Sequence, residues 1–128
     1  MTSFPTDLRY THDHEWLRAA GTAWRVGITQ FAVDQLGDIT LVDLPKEGDL
    51  VTKGQRFGTI ESVKSVSDLY APVSGKVVAV NTALKDAPES VNTAPYEAGW
   101  MIEIEATESA EIAELMAHDA YTKHVAAQ

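Results

Sequence analysis

Residues 58–75 are the stretch that most constrains how this chain can fold. Two runs rich in β-branched, aliphatic and aromatic side chains flank one lysine, Lys64, and serines surround it. Such runs favour strands, and a small polar centre between them favours a turn. Pro72 and the Ser-Gly pair at residues 74–75 then end the second strand. The stretch therefore predicts a β-hairpin that presents Lys64 near its tip.

Strand patterns dominate the rest of the chain. Apolar and polar side chains alternate over residues 23–28, after a Gly-Thr pair at residues 21–22 that predicts a hairpin turn. Residues 39–44, 75–81 and 100–105 carry further strand patterns. The side chains that we expect to be buried are Ile28, Leu41, Ile60, Val78 and Ile102.

Helices are expected to be few and short. Residues 30–36 precede Gly37, a residue typical of helix ends. Residues 109–117 carry an apolar stripe at helical spacing and should form the main helix. Helix caps are expected at Thr29, at Thr107 or Ser109, and at Asp119. The predicted fold class is therefore mainly β, with short helices that include C-terminal ones.

The composition limits what the protein can be. Its 128 residues suit a single domain over residues 1–128, in which residues 1–7 are expected to be loosely ordered. The chain has no cysteine, which excludes disulfides, thiolate metal sites and cysteine nucleophiles. A net charge of −9 argues against nucleic acid and anionic membranes as partners.

Targeting signals are not recognisable in the sequence. No apolar run is long enough to cross a bilayer, and the first residues resemble neither a secretory signal nor an Arg-rich transit peptide. The expected location is therefore the bacterial cytoplasm, and a processed protein of the mitochondrial matrix would have the same pattern.

Residues 12–15, His-Asp-His-Glu, are a cluster that could indicate a metal site or an acid–base pair. Strand alternation would place His12 and His14 on one face. A third ligand is missing, and there is no Ser-His-Asp order, phosphate loop or nucleotide fingerprint. An enzyme remains an alternative, as does an unmodified interaction module, although the segment around Lys64 argues against the latter.

The segment around Lys64 resembles the lipoyl-attachment segment of glycine cleavage system H proteins. The motifs ESVKSVSD at residues 61–68 and YAPVSG at residues 70–75 are the most specific. Weaker matches span about residues 8 to 124 in order, at residues 10–11, 14–17, 26–29, 36–38, 42–45, 91–92, 95–96, 99–100 and 121. Gln35 departs from the family, whose members often have histidine there. The resemblance implies the barrel-sandwich hybrid fold of lipoyl and biotinyl carriers.

The resemblance also implies a cofactor, because the matching lysine of the family carries lipoic acid as an amide. The residues expected at this site are Lys64 as the attachment point, with Glu61, Ser62, Val63, Asp68 and Glu15. Glu61 and Ser62 should face solvent and matter more to the modifying enzyme, a lipoate ligase or lipoyl transferase, than to stability. The carboxylates of Glu15 and Asp68 should face the cationic cargo of the arm in a cleft that protects it from water.

The implied function is that of a non-catalytic carrier. In such systems a glycine decarboxylase, the P protein, loads an aminomethyl group onto the lipoyl sulfur. The T protein, an aminomethyltransferase, passes the carbon to tetrahydrofolate and releases ammonia. The L protein, a dihydrolipoyl dehydrogenase, reoxidises the dithiol with NAD as final acceptor.

Other swinging-arm carriers are the alternatives to this reading. They include a lipoyl domain of a 2-oxo acid dehydrogenase and a biotinyl domain, and a role as lipoyl donor is compatible with the main reading. Biotinyl carriers resemble one another in a Met-Lys-Met motif, whereas Val63 and Ser65 flank Lys64 here. Lipoyl domains of the dehydrogenases are shorter and lack both the opening motif, residues 10–16 here, and the C-terminal helices.

Overall fold

The computed structural model describes residues 4–127 of the protein, except for the side chain of Ser109. The strands in this part of the chain are β1 (Arg9–Tyr10), β2 (Glu15–Ala20), β3 (Ala23–Ile28), β4 (Ile39–Asp43), β5 (Leu50–Val51), β6 (Arg56–Ser62), β7 (Val66–Tyr70), β8 (Gly75–Val80) and β9 (Ile102–Ala106). They form a six-stranded antiparallel sheet, β1-β2-β3-β9-β8-β5, and a three-stranded antiparallel sheet, β4-β6-β7. The predicted fold class, mainly β with few short helices, is confirmed.

Within the described residues, four short helices connect or follow the strands. They are α1 (Gln30–Leu36), α2 (Ser90–Thr93), α3 (Ser109–Ala113) and α4 (His118–Ala126), and a 3₁₀ turn spans Thr82–Lys85. None of the helices within residues 4–127 is long and apolar enough to span a membrane.

The two hairpins expected from the sequence are confirmed. β2 pairs with β3 in register from Glu15↔Ile28 to Ala20↔Ala23, and Gly21 takes a positive φ of 66° in the turn between them. β6 pairs with β7, from Arg56↔Tyr70 to Glu61↔Val66, so the turn between these strands carries Lys64.

The main core lies between the two sheets. Ile28, Ile60 and Ile102 are buried in it, as expected. A second cluster packs the opening segment against α4 and comprises Phe4, Leu8, Tyr10, Trp16 and Tyr121. Because Phe4 is only 5% exposed, the expectation of a loose segment before Leu8 does not hold at Phe4. Residues 1–3, to which that expectation also applied, lie outside the described residues.

Leu41 was expected to be buried, and this is wrong, because the side chain is 45% exposed. The pairing of β4 with β6 shifts register between Ile39 and Leu41, so strict alternation breaks there. Ile39 and Val42 point inward instead, and both are buried. A single extra residue in a strand moves the next side chains to the other face.

The burial of Val78 was also predicted wrongly, because this side chain is 37% exposed. Its neighbour Val77 is the inward residue and lies opposite Ile104 of β9. Two adjacent valines fit either face of a strand, and the partner strand decides between them.

The helix predicted over residues 30–36 is confirmed as α1. The Thr29 side chain caps α1 by accepting from the Ala32 N–H at 3.4 Å, and Gly37 ends the helix with φ 81° while its N–H donates to Val33 O. Thr29 thus serves as the side-chain acceptor that helix starts prefer.

The prediction of a main helix over residues 109–117 is wrong. α3 ends at Ala113, and the longest helix is α4. The chain leaves the helical path because Met116 forms an antiparallel bridge with Tyr10, with both backbone hydrogen bonds made at 2.8 and 2.9 Å. The predicted C-terminal caps are wrong too, since the caps are Glu108 and Ala117, and neither caps with its side chain.

Candidate functional site

Lys64 lies exposed at the tip of the β6–β7 hairpin, in a turn that is held on both sides. The Ser62 hydroxyl accepts from the backbone N–H groups of Lys64 and Ser65, both at 3.2 Å, and the Ser62 N–H donates to Ser65 O at 2.8 Å. The Val63 N–H donates to Asp38 O at 3.0 Å, which ties the turn to the start of β4. These hydrogen bonds show that Ser62 shapes the turn. Its side chain is half-buried, whereas the sequence indicated a side chain that faces solvent.

The space beside Lys64 is kept open by Gly37, the residue that ends α1. A Cβ atom at Gly37 would lie 3.2 Å from Lys64 Cε, and the positive φ of 81° disfavours any side chain there. An exposed amine on a fixed turn, with no side chain across from its stem, fits a lysine that must be acylated and carry a long group. These residues therefore fit a covalently attached lipoyl group.

Exposed apolar side chains surround the lysine. Val63 in the turn is 68% exposed, and Val66 at the start of β7 is 65% exposed. Leu41, Glu61 and Val66 are paired with one another across β4, β6 and β7, so they form one row across the smaller sheet. The Glu61 side chain is half-buried in the middle of that row. The hairpin thus presents one half-buried carboxylate among aliphatic side chains.

A cleft of about 360 Å³ opens beside this hairpin and is called the Glu15 cleft here. One wall is the turn at residues 12–14 together with Glu15, the first residue of β2, and another is residues 67–70 of β7. α1 forms the third wall with Ala32, Gln35 and Leu36, and Ile28 and Ile60 complete the lining. Since Gly37 follows Leu36 directly, Lys64 lies at the end of the α1 wall. The cleft brings Glu15 and Asp68 into one lining, as the sequence analysis expected.

Glu15 is buried, with only 2% of the residue exposed. The Thr11 hydroxyl donates to Glu15 Oε1 at 2.7 Å. Burial raises the pKa of Glu15 to about 8, and the nearby Asp13 charge adds to the rise, while the hydrogen bonds from Thr11 and from the Tyr70 backbone N–H oppose it. At neutral pH this group is therefore mostly a neutral acid, whereas the sequence analysis expected a carboxylate.

Asp68 lines the same cleft, but its carboxylate is half-exposed and turns to other partners. Oδ1 lies 3.8 Å from Arg56 Nη1, and Oδ2 accepts from the Tyr70 hydroxyl at 3.5 Å. The two carboxyl groups of the cleft thus differ: Glu15 is buried and mostly protonated, and Asp68 faces a guanidinium.

The histidines of the opening segment do not lie on a strand, because residues 11–14 form a turn and β2 begins at Glu15. His14 has a left-handed φ of 69°, and its Nδ1 is hydrogen-bonded to the Tyr121 hydroxyl at 2.8 Å. Within residues 4–127 no group of three or more metal-ligating side chains is placed to hold an ion. Because residues 11–14 are not part of a strand, the expectation that His12 and His14 share a strand face is wrong.

Two functional features escaped the sequence analysis. The Tyr121 hydroxyl reaches both His14 and Thr29, across 107 and 92 residues, and no local pattern signals such a contact. The protonation of Glu15 depends on burial by segments distant in sequence. Only the position of Glu15 within the matched residues 14–17 indicated its place in the cleft.

Comparisons with known proteins agree with this geometry. The chain matches the family model described as "Glycine cleavage H-protein" over residues 8–128. It is 54% identical to the glycine cleavage system H protein of Listeria monocytogenes serotype 4a over 121 residues, which are 94% of this chain and 97% of that protein. The corresponding protein of Anaeromyxobacter sp. strain K is 54% identical over 124 residues, 97% of each chain.

A solved structure gives the same result. The crystal structure of a glycine cleavage system H protein from Mycobacterium marinum has a TM-score of 0.88 with this chain at 43% identity, and the match covers 96% of this chain and 99% of the other. Matches over nearly the full length of both chains favour this family over the shorter lipoyl domains of other complexes. The chain belongs to the glycine cleavage H-protein family, the non-catalytic lipoyl carriers of the glycine cleavage system.

Proposed function

We propose that Lys64 is the residue through which this carrier holds its lipoyl group, and that residues 1–128 act as one carrier domain. The observation that carries the proposal is the exposed Lys64 amine on a turn fixed by Ser62, with Gly37 leaving the stem of the side chain free. The lipoyl group, when bound, supplies a disulfide that accepts the aminomethyl carbon and then carries two electrons as a dithiol. The hairpin anchors that chemistry and presents it to other proteins.

The partners that we propose are the P, T and L proteins of the glycine cleavage system, together with a lipoate ligase or lipoyl transferase that forms the amide. We propose the cytoplasm as the place where they meet. An arm of about ten bonds reaches on the order of 13 Å from the lysine backbone. Tethering makes each transfer effectively intramolecular once a partner has docked.

The Glu15 cleft is the second element of the proposal: we propose that it shelters the loaded arm from water. Glu15 offers a buried acid and Asp68 a half-exposed carboxylate in one lining. A cationic amine beside Glu15 favours the ionised form of the acid, because an opposite charge lowers its pKa. When the cationic cargo enters, Glu15 would therefore release its proton to water, and the resulting carboxylate would accept a charge-assisted hydrogen bond from the amine.

The test of the attachment site is intact mass after incubation with lipoate, ATP and a lipoate ligase. The wild type should gain one lipoyl group, and Lys64→Arg should gain none, because arginine keeps the charge but does not form the ordinary amide. Lys76→Arg, at an exposed lysine of β8, is the matched control and should be modified like the wild type. Lipoate on another lysine with Lys64 unmodified would refute the assignment.

A further inference from the structure

The hydroxyl of Tyr121 lies outside the lining of the Glu15 cleft and contacts residues that lead into two of its walls. Tyr121 is fully buried, and its hydroxyl is within 2.8 Å of His14 Nδ1 and 2.7 Å of the Thr29 hydroxyl. A phenol has one proton and accepts as well, so it donates to one of these groups and accepts from the other. His14 directly precedes Glu15, and Thr29 caps α1, the helix that forms the opposite wall.

The backbone of His14 makes this junction sensitive to its supports. His14 has a left-handed φ of 69°, a conformation that non-glycine residues adopt only when their surroundings hold them there. The Thr29 N–H donates to His14 O at 2.9 Å, and the Tyr121 hydroxyl is the side-chain link between the same two residues. Glu15 follows this strained residue, so its side-chain direction depends on the conformation of His14.

The ring of Tyr121 is held independently of its hydroxyl. It stacks on Tyr10, with centroids 4.5 Å apart and an angle of 7°, and meets the edge of Phe4 at 4.8 Å. Removing the oxygen alone should therefore leave the packing of α4 on the opening segment in place.

We propose that Tyr121 is a positioning residue of the Glu15 cleft, whose hydroxyl joins His14 to Thr29 and thereby keeps the Glu15 carboxyl buried against β7. The effect of Tyr121 on the loaded arm rests on the proposed function, namely that the Glu15 cleft receives that arm. Its effect on the position of Glu15 in the unmodified protein rests only on the contacts described above.

The first experiment uses the unmodified protein and compares Tyr121→Phe with Tyr10→Phe. Both changes remove a buried phenol oxygen from the same stacked pair, but the Tyr10 hydroxyl donates to Pro5 O, whereas the Tyr121 hydroxyl joins His14 to Thr29. Carbon-13 NMR of labelled glutamate side chains gives the Glu15 pKa. We expect Tyr121→Phe to lower it by about one pH unit, because water gains access to the carboxyl, and Tyr10→Phe to leave it unchanged.

An unchanged Glu15 pKa in Tyr121→Phe, or an equal fall in both variants, would overturn the proposal. Circular dichroism of each variant before titration shows that the fold is kept, as the retained ring packing requires. A general loosening of the aromatic cluster would move both variants alike, whereas a positioning role moves only one.

The second experiment measures release of the cargo from the loaded carrier. The oxygen of water bonds to the aminomethyl carbon, and the carbon–sulfur and carbon–nitrogen bonds break, which gives formaldehyde, ammonia and the free thiol. We expect Tyr121→Phe to speed this release about three- to ten-fold, as loss of a buried hydrogen bond would, and Tyr10→Phe to match the wild type. Equal rates in all three proteins would overturn the effect on the arm. A wild type that takes no lipoyl group would instead refute the proposed function, while the titration of Glu15 would still decide the role of Tyr121.

Discussion

Replacing Glu15 with glutamine should stabilise the unmodified protein, and the gain should grow as the pH rises. Burial raises the pKa of Glu15 from 4.5 to about 8, so the folded state binds this proton more tightly than the unfolded state does. A group with a raised pKa contributes its full stability below its unfolded value and loses it as the pH rises to the folded value. Glutamine stays neutral throughout and keeps an oxygen that accepts from Thr11.

The size of the effect follows from the pKa of the folded state. At 1.36 kcal/mol per pH unit, the rise to about 8 sets a ceiling of about 5 kcal/mol between acidic and alkaline pH. Glu15 lies between the Glu15 cleft and a smaller cavity of about 140 Å³, which Lys53 and Glu114 also line. Water reaches an ionised carboxylate from there, so we expect about half of that ceiling.

The measurement is urea unfolding, followed by tryptophan fluorescence, from about pH 5 to about pH 9. The quantity compared is the difference in unfolding free energy between Glu15→Gln and the wild type at each pH. Glu47→Gln, the same change at an exposed carboxylate in the turn after β4, is the control and should give a difference that does not vary with pH. A difference that is equally constant for Glu15→Gln would refute the reasoning from burial.

Three further sets of substitutions separate the roles of the site residues. Lys64→Arg should change the unfolding free energy by no more than about 0.5 kcal/mol, as exposed positions usually do, and a large loss would mean that this lysine serves the fold. Glu61→Ala should slow lipoylation in a ligase assay, with a similarly small change in unfolding free energy. Ser62→Ala should also slow lipoylation, and it should lower the unfolding free energy by about 1 kcal/mol, because the turn loses its side-chain acceptor. Large destabilisation with normal lipoylation in both would reverse that ranking. Glu15→Ala should speed release of formaldehyde from the loaded protein, and Asp68→Ala should do so less, because its carboxylate already faces a guanidinium on β6; unchanged release in both, with the fold intact, would rule out a protective role.

The hairpin that presents Lys64 could be predicted because its signals are local. The strand residues, the serines and the following Pro72 all lie within one short stretch, and neighbouring residues decide hairpin formation. The cap at Thr29 and the end of α1 at Gly37 were predictable for the same reason, since each depends on a residue next to the helix.

The features that the sequence did not predict depend on contacts between distant segments. The register shift in β4 exposes Leu41, and it arises only where β4 meets β6. The helix expected over residues 109–117 is interrupted because Met116 pairs with Tyr10, more than a hundred positions earlier. The backbone pairing of Met116 with Tyr10 therefore overrides the local helical spacing, and a pairing between such distant residues has no signal in the local sequence.

The charge state of Glu15 also depends on contacts between distant segments. A glutamate in the opening segment has an ordinary pKa until the chain folds, and burial then favours its neutral form. The sequence located this residue at the cleft through its motif, but the protonation was set by the packing of residues from several elements.

The order of strands in the larger sheet has a consequence for synthesis. β9, the last strand, lies between β3 and β8, so this sheet cannot close before Ile102–Ala106 have been made. The smaller sheet needs only β4, β6 and β7, which are complete at Tyr70. Because neighbouring segments pair before distant ones, the Lys64 hairpin is expected to form on the growing chain while β3 and β8 still have open edges. A chain that stops before β9 would therefore display its lysine on a hairpin while exposing the open edges of β3 and β8 to other unfolded chains.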